Sequence, residues 1–384
     1  MAETKLLRFW EKHDLGRDNL AAVSLHSHTN CSKESLYFLP KLAERWPMLK
    51  RALDTQCKKS AIPVDFVRAF WRPPLTPKLA LEIEKHQIEE VLGLASLVSL
   101  TDHDSIEAPA MLRATPGAER VPLSLEWSAP FGAAKFHLGV HNLPPGRAQE
   151  IVADLAAYTR SPSDQYLSEL MAMLDQFPEV LIIFNHPLWN LCSIGGQQSG
   201  EVLNRFLHKN VKFLHAFELN AMRSSKENNG VIELAERWER PLISGGDRHG
   251  CDPNGALNLT RTECFSEFVH EIRRELRSHV LLMPRYAEPM TIRTIRTLLD
   301  VIRNYPEFPA GSRRWDERVF HLDRSGLTDR PISTLWKEPP AFVEQIFSVI
   351  RLLENSTMER MFRSVTRRDT RLDLPSKISP EISS

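Results

Sequence analysis

Six short polar stretches of this 384-residue chain carry residue types that bind metal ions. They are His-Ser-His at 26–28, Thr-Asp-His-Asp at 101–104, Glu-Trp-Ser at 126–128, His137, Asn-His-Pro at 185–187 and Asp-Arg-His at 247–249. Imidazole and carboxylate donors suit zinc, manganese or iron better than calcium, and donor type does not choose among those three. One such stretch means little, because a lone buried histidine is more often a hydrogen-bonded core residue than a ligand. Gathered at one place, the same groups would be packed together without partners, and cations would supply the missing counter-charge. A catalytic zinc takes only three protein ligands, so at least five histidines and two acids predict more than one ion.

Those residues must be delivered by repeating elements. Short apolar runs occupy 21–25, 94–100, 121–125, 135–140, 180–184, 213–219, 241–246 and 256–260, and most of them lead into helix-like sequence. The segments 148–177 and 228–239 carry apolar residues at the helical period. Alternating strands and helices predict an α/β fold, either a barrel or a doubly wound sheet, whose ligand site lies at the strands' carboxyl ends. Residues two apart in a strand share a face, so His26 and His28 converge just beyond the first run.

In this order the motifs Leu-His-Ser-His-Thr, Ser-Leu-Thr-Asp-His-Asp-Ser-Ile, Ser-Leu-Glu-Trp-Ser, Phe-Asn-His-Pro and Phe-Glu-Leu-Asn followed by Ser-Gly-Gly-Asp-Arg-His-Gly resemble the PHP (polymerase and histidinol phosphatase) superfamily of metal-dependent phosphoesterases. The resemblance covers about residues 20–265. It implies a distorted (β/α)7 TIM-like barrel with two or three divalent ions at its carboxyl-end face. It also implies that His26, His28, Glu126 and Asp247 hold a first ion, that Glu126 bridges to a second held by His137 and His186, and that His103 and His249 face a third.

Two features depart from the family pattern. The aspartate expected five residues after the second histidine is Lys33 here. Glu34, Asp102 or Asp104 could replace it, or the Lys33 ammonium could stand in for a cation and bind phosphate as a point charge. Two firmly held ions and a weaker or absent third are therefore expected. The second departure is the long interval between His28 and His103, whose tryptophans and prolines predict a packed cap over 33–93 rather than a linker. Phe70, Trp71 and Arg72 in it either select substrate or anchor the cap.

The expected organisation is a barrel over 20–275, a helical appendage over 276–372 and a disordered tail over 373–384. The expected chemistry is hydrolysis of a phosphate ester by a metal-activated water, with no covalent nucleophile. His103 or His249 would protonate the leaving group, and Arg223, following a strand end, would clamp phosphate. Arg248 alternates away from the Asp247 and His249 side and reads as structural, and His215 reads as core. The rivals are an amidohydrolase-type metal hydrolase and a PHP module that binds metal without turnover.

Composition narrows the partners. Basic and acidic residues balance at 49 each, so no net field draws the chain onto nucleic acid or an anionic membrane. The partner expected is a small phosphorylated substrate, at most a nucleotide or short oligonucleotide. The charged start and the lack of a long apolar run predict a soluble protein with no membrane partner. Five scattered cysteines fit a reducing, cytoplasmic setting. The oligomeric state is left open.

Overall fold

Seven of the eight apolar runs coincide with strands in the computed structural model, which describes residues 2–11, 14–36, 50–51, 68–322 and 328–335; the run 121–125 does not, since only Leu125 of it is in a strand, one that continues to Phe131. The strands are β1 (Glu3–Arg8), β2 (Ala21–Leu25), β3 (Glu34–Ser35), β4 (Phe70–Trp71), β5 (Ala95–Ser99), β6 (Leu125–Phe131), β7 (Ala134–His141), β8 (Leu181–Asn185), β9 (Ala216–Asn220), β10 (Leu242–Gly245), β11 (Ala256–Thr260), β12 (Arg277–Leu282), β13 (Val319–Leu322) and β14 (Asp329–Pro331). They form two five-stranded sheets, β1-β12-β11-β2-β5 and β10-β9-β8-β7-β6, and one of four, β14-β13-β4-β3. Every residue of β2, β8, β9, β10 and β11 is buried, as strands covered on both faces require.

Two features differ from a regular parallel barrel. Among the described residues the large sheets do not close as one continuous ladder. They meet at two seams, each a single parallel bridge, Ser27 to Arg248 and His103 to Glu126. Pairing is also mixed, since β7 runs antiparallel to β6 and β8, and β11 runs antiparallel to β2 and β12. The seams sit where the chain leaves the ladder, with His26, Asp104 and Asp247 all at positive φ. That conformation is uncommon outside glycine and turns each side chain out of the strand's alternation.

Helices cover the sheets as the periodicity predicts. The 148–177 segment becomes two helices, Ala148–Arg160 and Asp164–Asp175, and the Ser163 side chain caps the second by accepting from Tyr166 N. Such a cap contributes about 1 kcal/mol. The largest hydrophobic cluster joins these helices to β6–β9 through Trp127, Tyr158, Phe184, Phe206 and Phe217, all essentially inaccessible. Full burial of side chains this large stabilises by about 2–3 kcal/mol each. Trp127 keeps its indole N–H satisfied on Thr159 Oγ1 at 3.1 Å.

The flanking segments differ from the expectation. Strand β12 lies between β1 and β11, so residues 277–282 belong to the main sheet and not to a helical appendage. The helix Met290–Ile302 follows, and then β13 and β14 join the cap strands β3 and β4. The remainder of the cap (37–49 and 52–67), of the appendage (323–327 and 336–372) and the tail (373–384) lie outside the described residues. Among the described residues no helix is long and apolar enough to cross a membrane.

Candidate metal centre

All eight residues expected to hold metal converge. Glu126, in β6, is the hub. Its Oε1 lies 3.1 Å from His26 Nε2, 3.2 Å from His137 Nδ1 and 3.2 Å from His186 Nε2. Its Oε2 lies 3.3 Å from His103 Nδ1 and 3.4 Å from His28 Nε2. Asp247 Oδ1 stands 3.6 Å from His26 Nε2, 3.7 Å from His28 Nε2 and 3.5 Å from His249 Nδ1. His26 and His28 are presented by the end of β2, His103 by the end of β5, His137 by β7, His186 by the end of β8, and Asp247 with His249 by the end of β10.

These spacings fit shared cations better than hydrogen bonds. Donors at about 2.1 Å from one ion stand about 3.0 Å apart in an octahedron and about 3.4 Å apart in a tetrahedron. The buried atoms His26 Nε2, His28 Nε2, His103 Nδ1, His137 Nδ1 and Glu126 Oε2 have no hydrogen-bond partner. Buried polar atoms are nearly always satisfied, so five orphans facing one another call for something between them. The donors fall into four overlapping groups that could hold an ion: His26, His28 and Asp247; His26, Glu126 and His186; His103, Glu126 and His137; and His28, Glu34, His103 and His249.

The last group resolves the Lys33 departure. Glu34 Oε2 lies 3.2 Å from both His103 Nε2 and His249 Nε2, and Ser32 Oγ donates to Glu34 Oε1 at 2.5 Å. The Lys33 side chain is about half exposed and pairs with Asp329 at 2.6 Å, so it is turned away from the centre. Asp102 and Asp104 are used elsewhere. Asp102 accepts from Thr29 N and Oγ1, and Asp104 Oδ1 accepts from Ser128 N.

Behind the donors stands Glu218 of β9, which has no role in the sequence reading. Its Oε1 meets His26 Nδ1 at 2.5 Å, while Oε2 accepts from His186 N at 2.8 Å and Asn220 Nδ2 at 2.9 Å. A carboxylate on the far nitrogen fixes the ring's tautomer and aim. A charged residue inside the apolar run Phe-Glu-Leu was the available signal. Asn185 Nδ2 likewise donates to Glu126 Oε1 at 3.0 Å.

The centre's electrostatics follow from burial and crowding. Burial opposes ionisation of Glu34, Glu126 and Asp247, yet the imidazoles against them hold all three well below the ordinary carboxylate range. For His103 burial is outweighed by Glu34 and Glu126, which push it up to about 10. His28 goes the other way, to about 3, through burial and the neighbouring His249. Burial also lowers His137 to about 4, against the pull of Glu126.

Two tryptophans border the centre. Trp189 meets the His186 ring at 5.0 Å and the His137 ring at 6.1 Å, and Trp71 of β4 lies 5.8 Å from His249. Arg223 stacks on Trp189 at 3.8 Å and reaches Asp247 Oδ2 at 3.3 Å, which places it at the edge of the centre. Arg248 and His215 have structural partners. Arg248 Nε bonds buried Glu84 at 2.9 Å, and His215 bridges Ile182 N and Asp175. His141 is buried with Nδ1 2.8 Å from Ser99 Oγ.

No protein-family model matches this chain, and no curated protein does. Among solved structures it is similar to PsfC from Pseudomonas syringae PB-5123, at 15% identity over 72% of this chain and 96% of that one, with a TM-score of 0.39. It is also similar to an amidohydrolase from Chromobacterium violaceum, at 14% identity over 63% and 93%, with a TM-score of 0.34. A Bifidobacterium adolescentis protein named as a metal-dependent phosphoesterase matches at 14% identity over 52% and 91%, with a TM-score of 0.32. At these scores the likenesses carry no functional weight, and the site's own geometry has to supply it.

Proposed function

We propose that this protein is a metal-dependent hydrolase of phosphate esters, built as a distorted PHP-like barrel in which β2, β5, β6, β7, β8, β9 and β10 surround one multi-ion centre. The observation that carries this reading is the cluster itself: nine imidazole and carboxyl side chains with mutual N to O separations of 3.1–3.7 Å and unpartnered buried atoms. His26, His28, Glu126 and Asp247 would hold one zinc, manganese or iron ion, Glu126, His137 and His186 a second, and Glu34, His103 and His249 a third. Bound divalent ions would supply a polarised water and the positive charge that a phosphoryl transition state requires.

The chain's own groups do the rest. Glu218 and Asn185 keep His26 and Glu126 in place. Arg223 is pre-oriented by its stack on Trp189 and supplies a fixed cation for the non-reacting phosphoryl oxygens. A nitrogen that binds a cation carries no proton, so His103 and His249 serve as acids to the leaving oxygen only where the Glu34 position is not occupied by an ion. The balanced net charge supports a small ester over long nucleic acid.

Hydrolysis of an aryl phosphate or phosphodiester in the presence of manganese or zinc, abolished by His26→Ala, is the expected result. Turnover of amides or lactones with none of phosphoesters would instead select the amidohydrolase reading. Tight metal binding without turnover of any ester in a broad panel would select the inactive module.

A further inference from the structure

The third group of donors depends on a strand that the main sheets do not hold. Glu34 lies in β3, a two-residue strand whose one strand neighbour among the described residues is β4, with Glu34 opposite Trp71 and Ser35 opposite Phe70. β4 is in turn paired with β13, Trp71 opposite Val319 and Phe70 opposite Phe320. The Phe70 and Phe320 rings stack at 5.1 Å and 8°, and Arg72 lies over the Phe320 ring at 4.9 Å. Arg72 N donates to Arg318 O at 2.8 Å, and Lys33 reaches Asp329 of β14. Isolated two-residue strands have no stability of their own, so the position of the Glu34 carboxylate is set by what they are paired with.

Resting on the reading of the cluster as a metal centre, we propose that the C-terminal strands β13 and β14 position Glu34, so that the cation site of Glu34, His103 and His249 forms only while β13, with β14 paired to its far edge, is docked on β4. The other donors are unaffected by this dependence, because they come from β2, β6, β7, β8 and β10 in the two large sheets. Phe320 is the positioning residue: its ring stacks on Phe70, and it acts through Phe70 and the β3–β4 pair. Trp71, opposite Glu34 in register and beside His249, is moved by the same strand.

The test counts ions and does not read activity. Full-length protein is loaded with manganese and titrated against a chelator, and the ions retained per chain are measured for the wild type, Glu34→Gln, Phe320→Ala and the double variant. Circular dichroism confirms that each is folded. Phe320→Ala is expected to weaken one class of ion by about 10–100-fold, the loss typical when a ligand's support is removed, and to leave the others unchanged. Glu34→Gln should weaken the same class, and the double variant should lose no more than Glu34→Gln alone. Unchanged manganese binding by folded Phe320→Ala would overturn the proposal, as would losses that multiply in the double variant. If Phe320→Ala is unfolded, Asp329→Ala with Arg72→Ala replaces it, under the same criteria. A wild type that retains no ion would instead overturn the metal-centre reading itself.

Discussion

Replacing Glu126 by glutamine tests whether one carboxylate serves two ions. The substitution keeps side-chain volume, so the buried packing of β6 against β7 is preserved and the effect falls on charge and ligation. Glu126 belongs to two of the donor groups, one with His26 and His186 and one with His103 and His137. Four-donor zinc sites have apparent binding free energies of about 10–16 kcal/mol, or about 2.5–4 kcal/mol per donor. That corresponds to roughly 10²–10³-fold in affinity, and the amide's remaining neutral oxygen places the expected loss near the lower figure. Because both oxygens of Glu126 face imidazoles within 3.4 Å, two classes of ion should weaken together. Competition against a chromophoric chelator, with zinc and with manganese, reads the affinities directly. Affinities within about threefold of the wild type for every ion would refute the bridging role, since that is far below the share of one donor worked out above. Loss confined to one class would refute sharing while leaving ligation intact.

Two further outcomes are expected. Gly245→Ala would place a Cβ 1.6 Å from Glu218 Oε1, so the carboxylate must leave His26, and metal affinity should fall about 10–100-fold with little change in the apo fold; an unaltered chelator titration would show that Glu218 does not tune His26. In metal-free protein His28 and His137 are held at about 3 and about 4, and burial holds His141 at about 3, all depressed from 6.5. The native state then binds fewer protons than the unfolded chain below pH 6.5, so this stability is present above that pH and is lost as pH falls toward the folded values. Asp102, pushed up to about 6 by burial, opposes the trend, as do His26, His103 and His249, which the carboxylates beside them raise above 6.5. The His141 contribution is therefore read by difference: between pH 7 and pH 5 the melting temperature of chelated His141→Gln should fall less, or rise more, than that of the chelated wild type, and parallel profiles would count against a neutral buried His141.

Much of the centre was legible in order along the chain. Donor type and strand-end placement are local properties, so His26, His28, His103, Glu126, His137, His186, Asp247 and His249 could be picked from apolar runs and the polar residues at or after their ends. The strand positions were equally legible, because β2, β5, β7, β8, β9, β10 and β11 each coincide with an apolar run to within a few residues. Glu218 was not picked, since a carboxylate in an apolar run announces burial but not the ring it will face. β1 and β12 were not picked either: an edge strand with only two of its six residues buried carries a weak pattern, and its partner is about 270 residues away.

The sequence by itself determined the kinds of donor and the side of the strands on which most of them gather. Tertiary structure alone decided that the sheets meet at two seams rather than in a continuous ladder, that β13 and β14 reach back to the cap, and that Glu34 rather than Lys33 faces the imidazoles. The last choice turns on one residue of register. Neighbours in a strand point to opposite faces, and only the pairing of β3 with β4 fixes which face looks into the centre.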